Sequence, residues 1–140
     1  MDLPALKPSG LLKLIEKTSD IALLIDAHDR VADVSMVRPE LQALGCERWL
    51  GKPLTDCVTS ESRIKVTELL QACRADQDSG WRQVNHPVVA LDDLAIQYTG
   101  MLIDKSGLLL LLGRDMQAVS QLQRRLVETQ QSMERDFVRL

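Results

Sequence analysis

Aromatic side chains are scarce in this chain of 140 residues, at 3% of the total. Two tryptophans, one tyrosine and one phenylalanine leave few rings that could stack a flat cofactor or a run of bases. The basic excess typical of nucleic-acid-binding domains is also missing, because the formal net charge is −3. We therefore predict that this segment alone binds no DNA.

Long apolar runs are missing too, which argues against a membrane protein. The longest, Leu108–Leu112, is far shorter than the roughly 20 residues of a spanning helix, and it predicts a buried strand. The N-terminus lacks the basic and then apolar order of a secretory signal. Cys46, Cys57 and Cys73 are odd in number and have no CxxC spacing, which argues against a disulfide framework and a zinc site. We expect a cytoplasmic protein without a bound metal.

What the chain does contain is the composition of a globular domain, with 45% apolar and 26% charged residues. Apolar residues along one side of Leu11–Lys17 predict a short helix. The apolar run Ile21–Ile25 is followed by the turn residues Asp26–Arg30 and by Val31–Val37, whose apolar residues follow a period of two imperfectly. This pattern predicts a β-hairpin. After a mixed stretch, Ser62–Arg74 has the spacing of an amphipathic helix, with an N-cap offered by residues 59–62.

The second half of the chain predicts three strands close together. The last two are joined by Asp104–Gly107, which has the composition of a hairpin turn. The predicted fold class is α+β, a five-stranded antiparallel sheet with helices on one face, and these helices are inserted between the first hairpin and the remaining strands. These remaining strands are Trp81–Val89, Leu94–Ile103 and Gly107–Leu112.

The chain changes character from Arg114 onward, where glycine and proline stop and glutamine becomes frequent. Apolar residues recur there at alternating steps of three and four, interrupted by Asp136, which is the pattern of a heptad seam. A helix with so narrow a stripe is marginal alone, so we predict a long C-terminal helix that pairs with a second copy as a coiled coil. A helix folded back on its own sheet is the alternative, and the charged flanks favour the dimer. The predicted dimer interface is Val119, Leu122, Leu126, Thr129, Met133 and Leu140.

This order of elements, with a Gly113-Arg114-Asp115 exit from the last strand into a helix, resembles a PAS domain. The exit and the glutamine-rich segment that follows it, residues 113–137, resemble the linker of the PpsR/CrtJ transcriptional regulators. Members of that family are the aerobic repressors of photosynthesis genes in purple bacteria. Ala22–Asp26 and Asp29–Val31 also fit the first strand and hairpin of their N-terminal PAS-like domain. The likeness spans most of the chain.

The resemblance implies an order of parts of which this chain contains the first two. In that family an N-terminal PAS-like domain and the linker are followed by two further PAS domains and a helix-turn-helix. By this comparison residues 1–18 are a leader and cap helix, residues 19–113 the PAS-like domain, and residues 114–140 the linker helix. Such a fragment would supply oligomerisation and signal relay as a homodimer or higher homo-oligomer. An antirepressor protein is a further partner that the resemblance implies.

Functions of other classes stay open from the sequence. One is the ligand-sensing input domain of a signalling enzyme, such as a histidine kinase or a cyclic-dinucleotide synthase. Another is a stand-alone interaction protein. Sequence downstream of Leu140 would discriminate between them, because further PAS repeats and a helix-turn-helix indicate the repressor and a catalytic domain indicates the enzyme.

Cofactor motifs are not recognisable in the chain. Photoactive PAS domains that bind flavin present a cysteine in an Asn-Cys-Arg-Phe type motif, which surrounds neither Cys46 nor Cys57, and we expect both to be half-buried core side chains. His28 lies in the predicted turn and should be solvated. His86 should pack at a sheet edge or pair with a neighbour, so neither histidine is favoured as a haem ligand. We expect no cofactor and a colourless protein.

The sequence contains no recognisable catalytic motif either. Asp92 and Asp93 could be paired carboxylates, but neighbours on a strand point to opposite faces, and their place between two strands predicts a solvated turn. Ser60 and Ser62 lack the glycines of a nucleophile elbow, and there is no Gly-rich phosphate loop. We therefore predict neither catalytic residues nor enzyme activity.

Overall fold

The computed structural model describes residues 17, 19–36, 38–42, 44–88 and 91–138. Its strands are β1 (Ile21–Ile25), β2 (Val31–Met36), β3 (Arg82–Val88), β4 (Leu91–Leu102) and β5 (Leu109–Asp115). All neighbouring strands run antiparallel, and the sheet order is β2-β1-β5-β4-β3. The predicted five-stranded antiparallel sheet is confirmed, and its two edges are β2 and β3.

The helical segments between β2 and β3 pack on one face of this sheet, as predicted. They begin with the single turn α1 (Pro39–Gln42) and end with the amphipathic helix α2 (Arg63–Arg74), which packs on β3 and β4. The buried side of α2 consists of Val66, Leu69, Leu70 and Cys73, which recur at helical spacing. Between α1 and α2 lie three 3-10 turns, namely Cys46–Trp49, Leu54–Cys57 and Ser60–Ser62.

The core lies between the helical layer and the inner face of the sheet. Every second side chain of a strand points to that face, and cross-strand partners share it. Leu23 of β1 pairs with Leu111 of β5, which in turn pairs with Gly100 of β4. The strand side chains that are fully buried there include Ile21, Leu23, Ile25, Val84, Leu94, Ile96, Leu109 and Leu111.

Gly113 belongs to the same inner row and is a position where a larger residue does not fit. A Cβ atom at Gly113 would lie 2.6 Å from Ile21 Cγ2 and 2.8 Å from Tyr98 Cε1. Since real Cβ atoms do not approach other carbons so closely, the missing side chain leaves the space that the Tyr98 ring occupies.

The first hairpin is also confirmed, with one irregularity. The β1–β2 register shifts between Leu24 and Ile25, so that Leu24 pairs with Asp33 while Ile25 pairs with Val31. One extra residue on β2 is the mark of a β-bulge. This bulge explains why the apolar residues of β2 follow a period of two only imperfectly.

Two local predictions are wrong. Residues 59–62 do not cap α2 through a side chain, because the Ser62 hydroxyl instead accepts a hydrogen bond from the Asn85 N–H at 2.9 Å. Asp92 and Asp93 lie within β4 and not in a turn. The β3–β4 ladder continues to the pair Val88–Leu91, so β4 begins three residues earlier than predicted.

The C-terminal helix α3 (Gln117–Val138) follows β5 after one residue. Its 22 residues correspond to a length of about 33 Å. Pairing of α3 into a coiled coil stays a prediction, and so do the three domain boundaries. Among the described residues no helix is both long and apolar enough to span a bilayer. The predicted helix Leu11–Lys17 lies, apart from Lys17, outside the described residues.

Candidate functional site: a filled interior and its helical exit

Three rings from different elements meet in the interior between the sheet and the helical layer. Trp49 ends the first 3-10 turn, His86 points inward from β3, and Tyr98 points inward from β4. The Trp49 and His86 rings are stacked, with centroids 4.1 Å apart and planes at 20°. Tyr98 meets His86 edge-on at 5.6 Å and 81°. We call these three residues the ring cluster. They are all buried, and His86 has no exposed surface.

Hydrogen bonds define the tautomer of His86. Its Nδ1 lies 2.7 Å from the Cys57 carbonyl oxygen, and its Nε2 lies 2.8 Å from the Tyr98 hydroxyl. A carbonyl oxygen can only accept, so Nδ1 carries the proton and donates it. Nε2 must then accept from the Tyr98 hydroxyl. Both ring nitrogens of the buried histidine are therefore satisfied in the neutral form.

Burial also sets the protonation of the cluster. Removal from water lowers the pKa of His86 to about 4, and the hydrogen bond to the Cys57 carbonyl opposes this only in part. Burial raises the pKa of Tyr98 well above its ordinary value. At neutral pH both side chains are uncharged, so the interior contains no ionised group at this point.

The three cysteines are free thiols and are more buried than expected. Cys46, Cys57 and Cys73 are each at most 4% exposed, so the expectation of half-buried side chains is wrong. Burial raises the pKa of Cys46 and of Cys57 to about 11. Thiolates are the reactive form, so all three have the character of inert core residues.

A groove next to the ring cluster is open to solvent. Its volume is about 160 Å³, below the about 300–1,000 Å³ that is typical of ligand pockets. The groove is lined in part by Trp49, Cys57 and Pro87, with Arg48 and Lys52 at its sides. No group of three His, Cys, Asp or Glu residues in the described part of the chain could hold a metal ion.

Sequence reasoning missed the ring cluster, although one signal for it exists. His86 alternates with Val84 and Val88 along β3, which places it on the apolar side of that strand. The contact with Trp49 has no such signal, because Trp49 lies in a 3-10 turn whose sequence has no periodicity. His28 is exposed in its turn, as predicted.

The exit from β5 into α3 is held by contacts to three parts of the sheet. The Asp115 N–H donates to Asp20 Oδ2 at 2.8 Å, and the Met116 N–H donates to the Ala95 carbonyl at 2.8 Å. The Arg114 guanidinium lies over the Trp81 ring, 4.1 Å from its centroid. These contacts attach the end of β5 and Met116 to the residue before β1, to β4 and to the residue before β3.

The described members of the predicted interface on α3 are exposed in the single chain. Val119 is 43% exposed, Leu122 59%, Leu126 61% and Met133 66%, and Thr129 is also exposed. With Thr129 included, we call these five residues the α3 stripe. Leu140, the sixth predicted interface residue, lies outside the described residues. The α3 stripe is therefore not used against the chain's own sheet in this structure.

Comparisons with known proteins agree with this architecture. The chain is similar to protein CrtJ of Rhodobacter capsulatus, at 31% identity over 136 residues, which are 96% of this chain and 29% of that protein. Among solved structures it is similar to the PAS domain of an HTR-like protein from Haloarcula marismortui, at 17% identity and a TM-score of 0.55, covering 76% of this chain and 89% of that one.

The solved structures show that the fold is PAS-like. Together with the likeness to CrtJ, this fold supports a PAS-like domain of the PpsR/CrtJ type. A sensory box histidine kinase/response regulator from Burkholderia thailandensis shares this PAS-like fold, at 13% identity and a TM-score of 0.57 over 89% of this chain and 98% of that one. A light-oxygen-voltage domain has 13% identity and a TM-score of 0.58 over 86% of this chain and 95% of that one. No protein-family profile matches the chain.

Proposed function

We propose that this PAS-like domain is an oligomerisation and signal-relay part of a bacterial transcriptional regulator. In this proposal two copies pair through the α3 stripe, and repacking within the body changes how the two helices pair. The likeness to CrtJ supports a regulator of this type, although the chain spans only about 29% of the length of that relative. Repression of photosynthesis genes, and binding of an antirepressor, are carried over from the PpsR/CrtJ family as parts of the same proposal.

The exposed α3 stripe carries the proposal. Leu122, Leu126 and Met133 are each about 60% exposed on one side of a 22-residue helix. Burial of such a side chain against a mate contributes about 1.5–3 kcal/mol. Helices in proteins gain most of their stability from packing of their apolar face, so a partner helix on the α3 stripe would stabilise both α3 and the dimer.

The ring cluster supports relay over catalysis or cofactor chemistry. Trp49, His86 and Tyr98 are buried between the sheet and the helical layer, where the Trp49 ring stacks on His86 and both ring nitrogens of His86 are hydrogen-bonded. Rearrangement of these packed rings would displace β3 and β4, which carry His86 and Tyr98, and the Met116 N–H just before α3 is hydrogen-bonded to Ala95 of β4. The ligand-sensing domain of a signalling enzyme is less favoured, since the likeness to enzymes in this case is a likeness of fold alone.

The test is the oligomeric state of the 140-residue chain. Sedimentation at tens of micromolar should show a homodimer, and Leu126→Glu should convert it to a monomer because it places a charge in the seam. The matched control is Gln131→Glu, which adds the same charge on α3 away from the α3 stripe and should leave the dimer intact. A monomeric parent, or a Leu126→Glu variant that dimerises as well as the parent, would contradict the proposal.

A further inference from the structure

Asp20 stands at the point where the chain enters the sheet and where it leaves it. Its carboxylate Oδ2 accepts the Asp115 N–H at 2.8 Å, across 95 residues of sequence. Its own N–H donates to the Gly113 carbonyl, also at 2.8 Å. The first residue before β1 is thus bonded twice to the last residues of β5. Since α3 begins two residues after Asp115, Asp20 fixes the position from which α3 departs.

The other carboxylate oxygen of Asp20 faces the helical layer. Asp20 Oδ1 lies 3.7 Å from Nη1 of Arg38, which directly precedes α1. α1 is anchored in the core through Leu41, which is 2% exposed, and the Leu41 carbonyl accepts a hydrogen bond from the Cys46 thiol at 3.8 Å. One side chain therefore connects the helical layer to the exit into α3.

The two connections differ in strength, which makes the arrangement adjustable. A backbone N–H bonded to an ionised carboxylate at 2.8 Å is a strong, charge-assisted hydrogen bond. The Arg38–Asp20 pair is longer, and the two side chains are 51% and 27% exposed, so it is weak and its geometry can change at little cost. Movement of Arg38 would change the distance between its guanidinium and the Asp20 carboxylate. This change would in turn alter the hydrogen bond that the carboxylate accepts from the Asp115 N–H.

We propose that Asp20 is a positioning residue that couples the helical layer, through Arg38, to the departure of α3. This coupling gives the proposed relay a specific route, and in that sense it rests on the proposed function. In this route the PAS-like domain does not need to unfold or to bind a cofactor in order to change the direction in which α3 leaves the sheet. A small displacement of α1 is enough to alter the contact at the root of the helix.

The test is amide hydrogen exchange of the 140-residue chain, resolved residue by residue. Asp20→Ala removes both contacts, and exchange of the Asp115 amide and of the first turn of α3 should become on the order of tenfold faster, or more. Asp20→Asn keeps an oxygen that can accept the Asp115 N–H but loses the charge, so its effect should be smaller. Asp56→Ala, at an exposed carboxylate outside this junction, is the matched control and should leave these amides unchanged.

A double-mutant comparison separates coupling from simple support of the fold. Arg38→Gln should accelerate the same amides, and its effect should be smaller when Asp20 is already alanine, because the part of the effect that Arg38 exerts through Asp20 is then lost. Additive effects of the two substitutions would overturn the route through Arg38. Exchange within twofold of the parent in Asp20→Ala would overturn the proposal altogether. If Asp20→Ala lowers global stability, Asp20→Asn takes its place in the comparison. The effects of Asp20→Asn and Arg38→Gln on amide exchange should then also be non-additive in the double variant.

The coupling proposal and the oligomerisation proposal can be contradicted independently of each other. The measured contacts lie within one chain, so the exchange result is informative even if sedimentation shows a monomer. A dimeric parent with unaffected exchange in Asp20→Ala would leave the oligomerisation proposal in place and remove only the coupling.

Discussion

At the scale of single residues, the main feature is a neutral, fully buried histidine. His86 donates to the Cys57 carbonyl and accepts from the Tyr98 hydroxyl while its ring stacks on Trp49. Protonation would place a charge in this buried site and make Nε2 a donor, so the Tyr98 hydroxyl would have to accept where it now donates. The native protein therefore excludes a proton that the unfolded chain binds readily.

This exclusion predicts a pH dependence of the free energy of unfolding. The pKa of His86 is about 4 in the folded chain and about 6.5 when unfolded, so the unfolded state binds more protons between these values. The contribution is fully present above pH 6.5 and is lost as the pH falls to 4, by roughly 3 kcal/mol in all. Urea unfolding at pH 5 and pH 7 should show a steeper loss for the parent than for His86→Gln.

The dependence of the free energy of unfolding on pH should differ between the parent and His86→Gln by a definite amount. The two slopes should differ by about 1 kcal/mol per pH unit in this window, since carboxylates contribute equally to both proteins. Glutamine can still donate to Cys57 and accept from Tyr98, so the variant should fold. His28→Gln changes an exposed histidine and should keep the parental slope. Equal slopes for the parent and His86→Gln would contradict a neutral buried histidine.

At the scale of elements, Arg74 joins the end of α2 to two turns of the sheet. Its guanidinium pairs with Asp29 in the β1–β2 turn and donates to the Asp26 carbonyl at 2.9 Å. It also donates to the Gly107 carbonyl of the β4–β5 turn at 2.8 Å. A Cβ at Gly107 would lie 3.2 Å from Nη1 of Arg74, and its φ of +94° favours glycine. One arginine thus holds three elements together at this end of the domain.

Removal of this clamp should destabilise the fold measurably. Arg74→Met keeps the apolar stem and removes the donors, and we expect a loss of about 2 kcal/mol in the free energy of unfolding. Urea denaturation of both proteins gives the difference directly. Arg63→Met, on the exposed side of the same helix, is the control and should change stability by less than about 0.5 kcal/mol. Similar losses for the two variants would show that the Arg74 contacts add nothing specific.

Elements built on continuous apolar patterns were predictable from the sequence. The runs at β1 and β5 and the spacing of α2 specify both the type of element and the buried side, because burial selects period two or 3.6. β4 was predicted too short, since the pairing of Leu91 with Val88 is decided by the neighbouring strand and not by apolar content. The Arg74 clamp was also not predictable, because its partners lie 33 to 48 residues away.

The candidate site, too, has one part that was predictable from the sequence and other parts that were not. The α3 stripe follows from heptad spacing alone, and the structure leaves its five described members exposed. The ring cluster and the Asp20 junction depend on contacts between distant segments. Nothing in the local sequence of Ser19-Asp20 indicates that its carboxylate meets the backbone of Asp115. A pattern predicts which face of an element is buried, whereas the partner on that face is set by topology.

At the scale of the whole molecule, the charge predicts that this chain does not bind DNA specifically. The net charge is −3, and the arginines of α3 have acidic neighbours, such as Glu128 four residues after Arg124. Phosphate-driven affinity requires several uncompensated cations. A labelled promoter duplex titrated at low salt should show no saturable binding at about 100 μM protein, as should a random duplex. Tight binding with sequence preference would contradict a division in which this part assembles the protein and another part contacts the operator.

The placement of β1 beside β5 has a mechanical consequence. Ile21 pairs with Gly113 at the end of the two strands where both Asp20 and Asp115 lie. A pulling force applied between residues 19 and 116 would therefore act on the end of an antiparallel ladder and open its hydrogen bonds one after another, like a zipper. Strands pulled along their length would instead load all these bonds together. We expect the domain to unfold at low force in this direction, because the few hydrogen bonds at this end of the ladder carry the whole load at any one time.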